Sequence, residues 1–235
     1  YAYQVIYILI SIIKRKVASL KDTDIRNRFA IFISARNEEG VISELLDSLN
    51  KQEYPRDKYD IYVVADNCTD HTAQVSRDNG AIVYERFNKE EVGKGYALNY
   101  LYTKVSSLKG RKYYDAFVVF DADNIVDPAF LKESNKKLAS GKYDAFTTYR
   151  NSKNFGTNWL SAAYSIWFLH EARHLNYVRD MIGAQCMISG TGFVITSSLM
   201  DENDGWPYYF LTEDIQFSVA STITNKRIGY CDSAM

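Results

Sequence analysis

The segment Tyr114-Asp-Ala-Phe-Val-Val-Phe120 runs straight into Asp121-Ala-Asp123. A short, continuous apolar run predicts a strand covered on both faces, as in parallel sheets. The acids then mark its carboxyl end. The same arrangement stands twice upstream. Phe29-Ala-Ile-Phe-Ile33 leads into Ser34-Ala-Arg-Asn-Glu-Glu-Gly40, and Asp60-Ile-Tyr-Val-Val-Ala65 leads into Asp66-Asn-Cys-Thr-Asp-His71. A helical stripe follows the first, with apolar residues at 41, 42, 45, 46 and 49, halted by Tyr54-Pro55. The second is followed by a helix to about Asn79, with Thr69 or Asp70 as its cap and Gly80 as its stop. Ala81-Ile-Val-Tyr84 predicts another strand, and Gly93-Lys-Gly95 opens a helix carrying Ala97, Leu98, Leu101 and Val105.

Strand, loop and helix recurring in this way predict an α/β fold with a mainly parallel central sheet flanked by helices. Ligands of such sheets bind at the carboxyl ends of the strands. Arg36-Asn37-Glu38-Glu39, Asp66-Asn67 and Asp121-Ala122-Asp123 all fall at those ends. The second half is less regular. It predicts a helix from Asp127-Pro128 to about Ser140, a strand over Tyr143 to Tyr149, and a long aromatic helix from Asn158 to Arg179. An apolar segment over 186 to 195 is broken by Gly190 and Gly192. A helix opens at Thr212-Glu-Asp214, and Ile228 to Cys231 forms a final strand.

Bulk properties narrow the classes. The 235 residues are 46 % apolar and 24 % charged, an ordinary globular balance, and the net charge of -1 gives no field directed at nucleic acid. Cys68, Cys186 and Cys231 are odd in number and form no CxxC pair, which argues against a disulfide framework or zinc site and fits a reducing compartment. Tyr1 to Ile13 is strongly apolar and is followed by Lys14-Arg15-Lys16. As a helix it reaches roughly 20 Å, short of a ~30 Å hydrocarbon core. Residues 1 to 16 are therefore expected to be the end of a transmembrane helix with its basic flank in the cytoplasm, or else a terminal helix packed on the domain. Residues 17 to 28 read as a linker, and 29 to 235 as the catalytic domain.

Several residue types in this frame carry chemistry. Asp121 and Asp123 alternate along an extended segment and so point the same way. Two carboxylates on one rim form a hard oxygen site for Mn²⁺ or Mg²⁺, which would stabilise a departing diphosphate. Asp66 is placed either to accept a hydrogen bond from a nucleobase or to close a turn. Lys94 lies between glycines that let backbone approach a ligand, although the GxxxxGK[ST] spacing is absent. Glu213 and Asp214 near a helix start are explained by the helix dipole, or by a general base at Asp214. His170 and His174 share a helix face, with no cysteine pattern beside them, and no serine sits in a GxSxG elbow.

Taken in order, Ile-Ser-Ala-Arg-Asn-Glu-Glu (33 to 39), Val-Val-Ala-Asp-Asn-Cys-Thr-Asp (63 to 70), Gly-Lys-Gly-Tyr-Ala-Leu-Asn (93 to 99), Phe-Asp-Ala-Asp-Asn (120 to 124), Ser-Gly-Thr-Gly-Phe (189 to 193) and Thr-Glu-Asp (212 to 214) resemble the family 2 inverting glycosyltransferases of GT-A fold. The nearest subgroup is taken to be the membrane-embedded bacterial polysaccharide synthases of the hyaluronan, cellulose and poly-N-acetylglucosamine type. The resemblance implies a UDP-sugar donor held by Ala35, Arg36, Glu38, Asp66, Lys94 and Asp121. It implies metal ligation by Asp123 with Asp121, and Asp214 as the catalytic base. Gly190, Thr191 and Glu213 would face a carbohydrate or lipid-linked acceptor. It further implies polysaccharide or glycoconjugate synthesis at the cell membrane, with the catalytic domain cytoplasmic and membrane contact through the N-terminal helix and C-terminal segments not in this chain. The synthases' QxxRW motif is absent, so the chain is expected to be a truncated catalytic piece. A nucleotidyltransferase that forms sugar nucleotides, and a silent carbohydrate-binding or scaffold domain, are the competing expectations.

Overall fold

The computed structural model describes residues 2–13, 20–152 and 155–235. The basic flank Lys14-Arg15-Lys16 and the first linker residues lie outside the described residues. The sheet is built from β1 (Phe29–Ala35), β2 (Tyr59–Asp66), β3 (Ile82–Arg86), β4 (Ala116–Asp121), β5 (Ala145–Thr148), β6 (Phe193–Thr196) and β7 (Ile228–Cys231). Their order is β3-β2-β1-β4-β6-β5-β7. β6 runs antiparallel to both its neighbours, and every other pairing is parallel. The expected α/β architecture with a mainly parallel, helix-flanked sheet is the one found.

The apolar runs follow from burial on both faces. In β1, Ala30 and Phe32 enter one core while Phe29, Ile31 and Ile33 enter the other. The period-2 side-chain alternation makes both sets apolar. One face is covered by α2 (Ile42–Asn50), which inserts Ile42, Leu45, Leu46 and Leu49, and by α5 (Phe130–Ala139), which adds Phe130 and Leu131. The other face carries α4 (Lys94–Lys109) and α9 (Glu213–Ile223), which contribute Leu98, Leu101 and Phe217 to one core, where Phe217 stacks on Trp206. α3 (Thr72–Asp78) packs on β3, β2 and α2.

The later half departs from the expected boundaries for identifiable reasons. β4 begins at Ala116, because Asp115 is diverted to accept the backbone N–H of Arg28 at 2.7 Å. The apolar segment 186 to 195 becomes a strand only from Phe193, since Gly190 and Gly192 turn the chain at φ of +67° and +65°. A short helix absent from the sequence reading, α8 (Ser197–Glu202), follows β6 and is capped by Thr196 Oγ1. The long aromatic helix is three pieces: α6 (Trp159–His170), a π-helical turn (Glu171–Asn176) and α7 (Tyr177–Met181). α1 (Ala2–Ile13) packs on that turn and on α7. Among the described residues no helix is long and apolar enough to cross a membrane.

The loop before α9 presses on the first turn of α4. A Cβ added to Gly95 would lie 1.8 Å from the Tyr208 carbonyl oxygen. Gly95→Ala should therefore cost about 1–3 kcal/mol of stability by overpacking against backbone. Gly40→Ala, where nothing lies within 4 Å, should change it by less than about 0.5 kcal/mol. Thermal or urea unfolding of the two variants checks the difference.

Candidate active site

The parallel register brings the strand ends level. Ala35 pairs with Ala65, and Ser34 pairs with Asp121. Side chains at the ends of β1, β2 and β4 therefore open into one cleft of about 390 Å³, lined by Arg36, Glu38, Asp66, Lys94, Asp121 and Asp123. That volume falls in the range of small-molecule sites. All three strand-end clusters read from the sequence contribute to it.

Two loops form one wall by locking together. The N–H of Glu38 donates to Thr72 Oγ1 at 2.8 Å, and that of Glu39 to Asp70 Oδ2 at 3.2 Å. In return Thr69 N donates to Asn37 Oδ1 at 2.8 Å and His71 N to Glu39 Oε2 at 2.7 Å. Asn37 and Asn67 hold left-handed backbone, φ +58° and +54°, which re-aims each loop directly after its strand. Ala35 is buried beneath this wall.

Asp66 is buried and bonded. Arg86, its direct partner across β2 and β3, donates from Nη1 to Asp66 Oδ1 at 2.8 Å and to the Glu91 carbonyl at 2.8 Å. Both partners of this ion pair are buried. Sequence reasoning missed Arg86, whose one local signal is a cation at the end of an apolar strand.

Lys94 occupies the centre. Its ammonium donates to Asp121 Oδ1 and to the Gly190 carbonyl, both at 2.5 Å, and Glu213 Oε1 lies 3.7 Å away. The other side of the Gly190 residue faces Asp214, whose Oδ2 accepts the Gly190 N–H at 2.6 Å while Oδ1 accepts the Ile215 N–H at 2.8 Å. Thr191 Oγ1 accepts the Asp121 N–H at 2.9 Å and donates to Asn124 Oδ1. Gly190, Thr191, Glu213 and Asp214 thus adjoin the cleft through Lys94 and Asp121. Glu213 is turned inward, where burial raises its carboxyl pKa and Lys94 works in the opposite direction.

Arg150, also missed, braces this floor from below. It donates to the Ser189 carbonyl at 2.6 Å and to Glu171 at 2.9 Å, and lies over the Phe168 ring. His174 is bonded to Ser11 at 2.6 Å and takes no part in the cleft lining.

The donor set at the rim suits a hard cation. Burial, then the charges of Asp123, Asp121 and Asp70, raise the Glu38 carboxyl above its ordinary value. Such crowding of carboxylates is relieved by positive charge. Among the described residues no three His, Cys, Asp or Glu side chains converge at ligating distance. Further ligands would therefore come from phosphate oxygens and water, the usual manner in which Mg²⁺ is held by one or two carboxylates.

Comparison with known proteins places this geometry in a family. The beta-monoglucosyldiacylglycerol synthases of Synechocystis sp. and Nostoc sp. are 24 % and 27 % identical over 85 % and 80 % of this chain. The aligned parts are 41 % and 40 % of their own lengths, so the chain spans well under half of these curated relatives. A mannosyltransferase from Pyrobaculum calidifontis, solved with GDP-Man and Mn²⁺, shares the fold with a TM-score of 0.70 and 21 % identity, covering 98 % of this chain and 62 % of its own. TarS of Staphylococcus aureus, residues 1-349 with UDP-GlcNAc, does so with a TM-score of 0.60 and 18 % identity, over 88 % of this chain and 56 % of its own. The model of the glycosyltransferase-like family 2 matches residues 27–234, and with the strand-end site just described, the chain belongs to that family.

Proposed function

We propose that the domain transfers a sugar from a UDP-sugar to an acceptor hydroxyl with inversion at the anomeric carbon. The observation that carries this reading is the single cleft in which the acids of three strand ends meet Lys94, with Asp214 one glycine away. Arg36, Glu38 and Asp66 would hold the nucleoside. Asp121 and Asp123 would hold Mn²⁺ or Mg²⁺, which when bound neutralises the departing diphosphate. Lys94 would add its charge on the same side. Asp214 would take the proton as the acceptor oxygen bonds to the anomeric carbon, while the electron pair of the broken bond leaves with UDP. The fixed carboxylate supports this reading, since Asp214 accepts the backbone N–H groups of Gly190 and Ile215. No covalent enzyme intermediate is required.

The competing nucleotidyltransferase reading needs backbone N–H groups free to cradle phosphates early in the chain. Here those of Asn37, Glu38 and Glu39 donate to Cys68, Thr72 and Asp70. The structural neighbours divide on the nucleotide, with UDP-GlcNAc in TarS and GDP-Man in the Pyrobaculum enzyme. A role in polysaccharide or glycoconjugate synthesis at a membrane belongs to the same proposal.

UDP with Mn²⁺ should raise the melting temperature, GDP should do so less, and Asp123→Asn should abolish the metal-dependent part. Equal shifts for both nucleotides would remove the uridine assignment. Asp214→Asn should retain that thermal shift yet lower kcat by about 10²–10⁴-fold, the usual worth of a general base, read by UDP release. Glu38→Gln tests the carboxylate crowding. A raised folded pKa means that ionising Glu38 opposes folding as pH rises above its ordinary value of 4.5. The variant should therefore melt higher than the parent at neutral pH without metal. That gain should vanish below the ordinary value, where both states are protonated, and shrink when Mn²⁺ is added.

A further inference from the structure

Asp66 meets the cleft with one oxygen already spent. Its Oδ1 accepts a hydrogen bond from Arg86 Nη1 at 2.8 Å and another from the Asn67 side-chain amide, Nδ2, at 3.2 Å. A carboxylate has about four lone-pair sites over its two oxygens, so two donors saturate Oδ1. Among the described residues nothing donates to Oδ2, and Asp66 lines the cleft. Asp66 is 4 % exposed and Arg86 5 %, so the pair is held away from bulk water.

Both donors are fixed by the segment between β3 and α4. Arg86 stands opposite Asp66 in the parallel register of β2 and β3. Its Nη1 also donates to the Glu91 carbonyl at 2.8 Å, and its Nη2 to Glu91 Oε2 at 3.1 Å, so the guanidinium is gripped at both ends of its fork. Asn67 takes left-handed backbone, φ +54°, and locks onto Asn88: Nδ2 donates to the Asn88 carbonyl and Oδ1 accepts the Asn88 N–H, both at 2.9 Å. The Asn67 N–H donates to the Arg86 carbonyl at 2.7 Å, and Asn88 Nδ2 donates to Glu91 Oε2 at 3.0 Å. Two side chains from neighbouring strand ends are thereby held on one oxygen. Arg86 alone balances the charge of Asp66. Asn67 adds no charge, and what its amide does at Oδ1 is occupy it.

Resting on the glycosyl-transfer reading above, we propose that Arg86 and Asn67 are positioning residues that set the choice of nucleobase. By filling Oδ1 they leave Asp66 a single acceptor, matched to a base with one N–H on its pairing edge. Uracil is such a base, with its ring N–H between two carbonyls. Guanine presents a ring N–H and an adjacent amino group, which together suit both oxygens of an unoccupied carboxylate; here the second of those bonds is denied. Cytosine and adenine turn a ring-nitrogen acceptor toward the carboxylate, where two acceptors repel. Both residues act through Asp66.

Displacement of UDP by nucleotide analogues, with Mn²⁺ present, tests this. In the parent, UDP methylated at the uracil ring N–H should bind at least about tenfold more weakly than UDP, the worth of a hydrogen bond to a charged group. GDP should displace UDP no better than inosine diphosphate, which keeps the ring N–H of guanine and lacks its amino group. In Asn67→Gly, where glycine accepts φ of +54°, or in Arg86→Ala, GDP should gain at least about tenfold over inosine diphosphate. Loosened packing would weaken both purines alike and leave their ratio unchanged. Arg86→Ala strips a buried carboxylate of its partner; where that variant does not fold, Asn67→Gly and the parent decide. GDP ahead of inosine diphosphate in the parent, undiminished binding of the methylated UDP, or an unchanged ratio in every folded variant would overturn the proposal while UDP binding stood. A parent that binds no nucleotide with Mn²⁺ would remove the glycosyl-transfer reading, and this one with it.

Discussion

The Lys94 ammonium is where the two halves of the molecule meet. It springs from the first turn of α4, in the half built by parallel strands, and reaches the Asp121 carboxylate, the Gly190 carbonyl and the neighbourhood of Glu213. Without a cation there, Asp121 and Glu213 would face each other and a carbonyl in a partly desolvated space, which is costly for charged groups. A phosphate oxygen in the cleft would compete for this ammonium with the Asp121 carboxylate and the Gly190 carbonyl, each at 2.5 Å. A contact that holds the fold is thus also the contact that a ligand would compete for.

That arrangement depends on β6. Because β6 enters the sheet antiparallel between β4 and β5, the segment preceding it returns to the carboxyl edge of β4, where Thr191 accepts the Asp121 N–H. Left-handed backbone at Gly190 and Gly192 makes the turn possible, and at Gly192 a Cβ would also come within 3.1 Å of Thr148 Oγ1. Arg150 fixes Ser189 from beneath. The floor on which Asp214 leans is therefore held from both sides.

The wall built by the loops after β1 and β2 is rigid for a different reason. Its loop N–H groups are consumed by side chains of the neighbouring loop rather than left for a ligand, so the walls keep their shape by mutual satisfaction. The buried pairing of Arg86 with Asp66 adds to this. One carboxylate oxygen is spent on structure, and a buried pair of that kind contributes more to fixing geometry than to net stability.

Much of the first half was legible because each strand is covered on both faces and each ends in a short acidic or polar loop. The runs at 29 to 33, 60 to 65 and 116 to 120 announce themselves locally, and a parallel sheet puts their ends on one edge. The Asp-Ala-Asp pair, the Gly-Lys-Gly turn and the Thr-Glu-Asp helix start were visible in the same way. What spacing along the chain does not contain is the identity of partners far apart in sequence. The bond between Arg86 and Asp66, the inward turn of Glu213, the bracing by Arg150 and the antiparallel insertion of β6 each join segments separated by tens of residues. A periodic pattern likewise predicts that α6 is a helix but not which side of it is covered: its apolar residues surround it, and only packing decided that Ser165 went in and the tryptophans stayed out. Local dihedral preference and side-chain alternation set the elements. The pairing of distant polar groups, which must find one another to be buried at all, was settled by the tertiary fold.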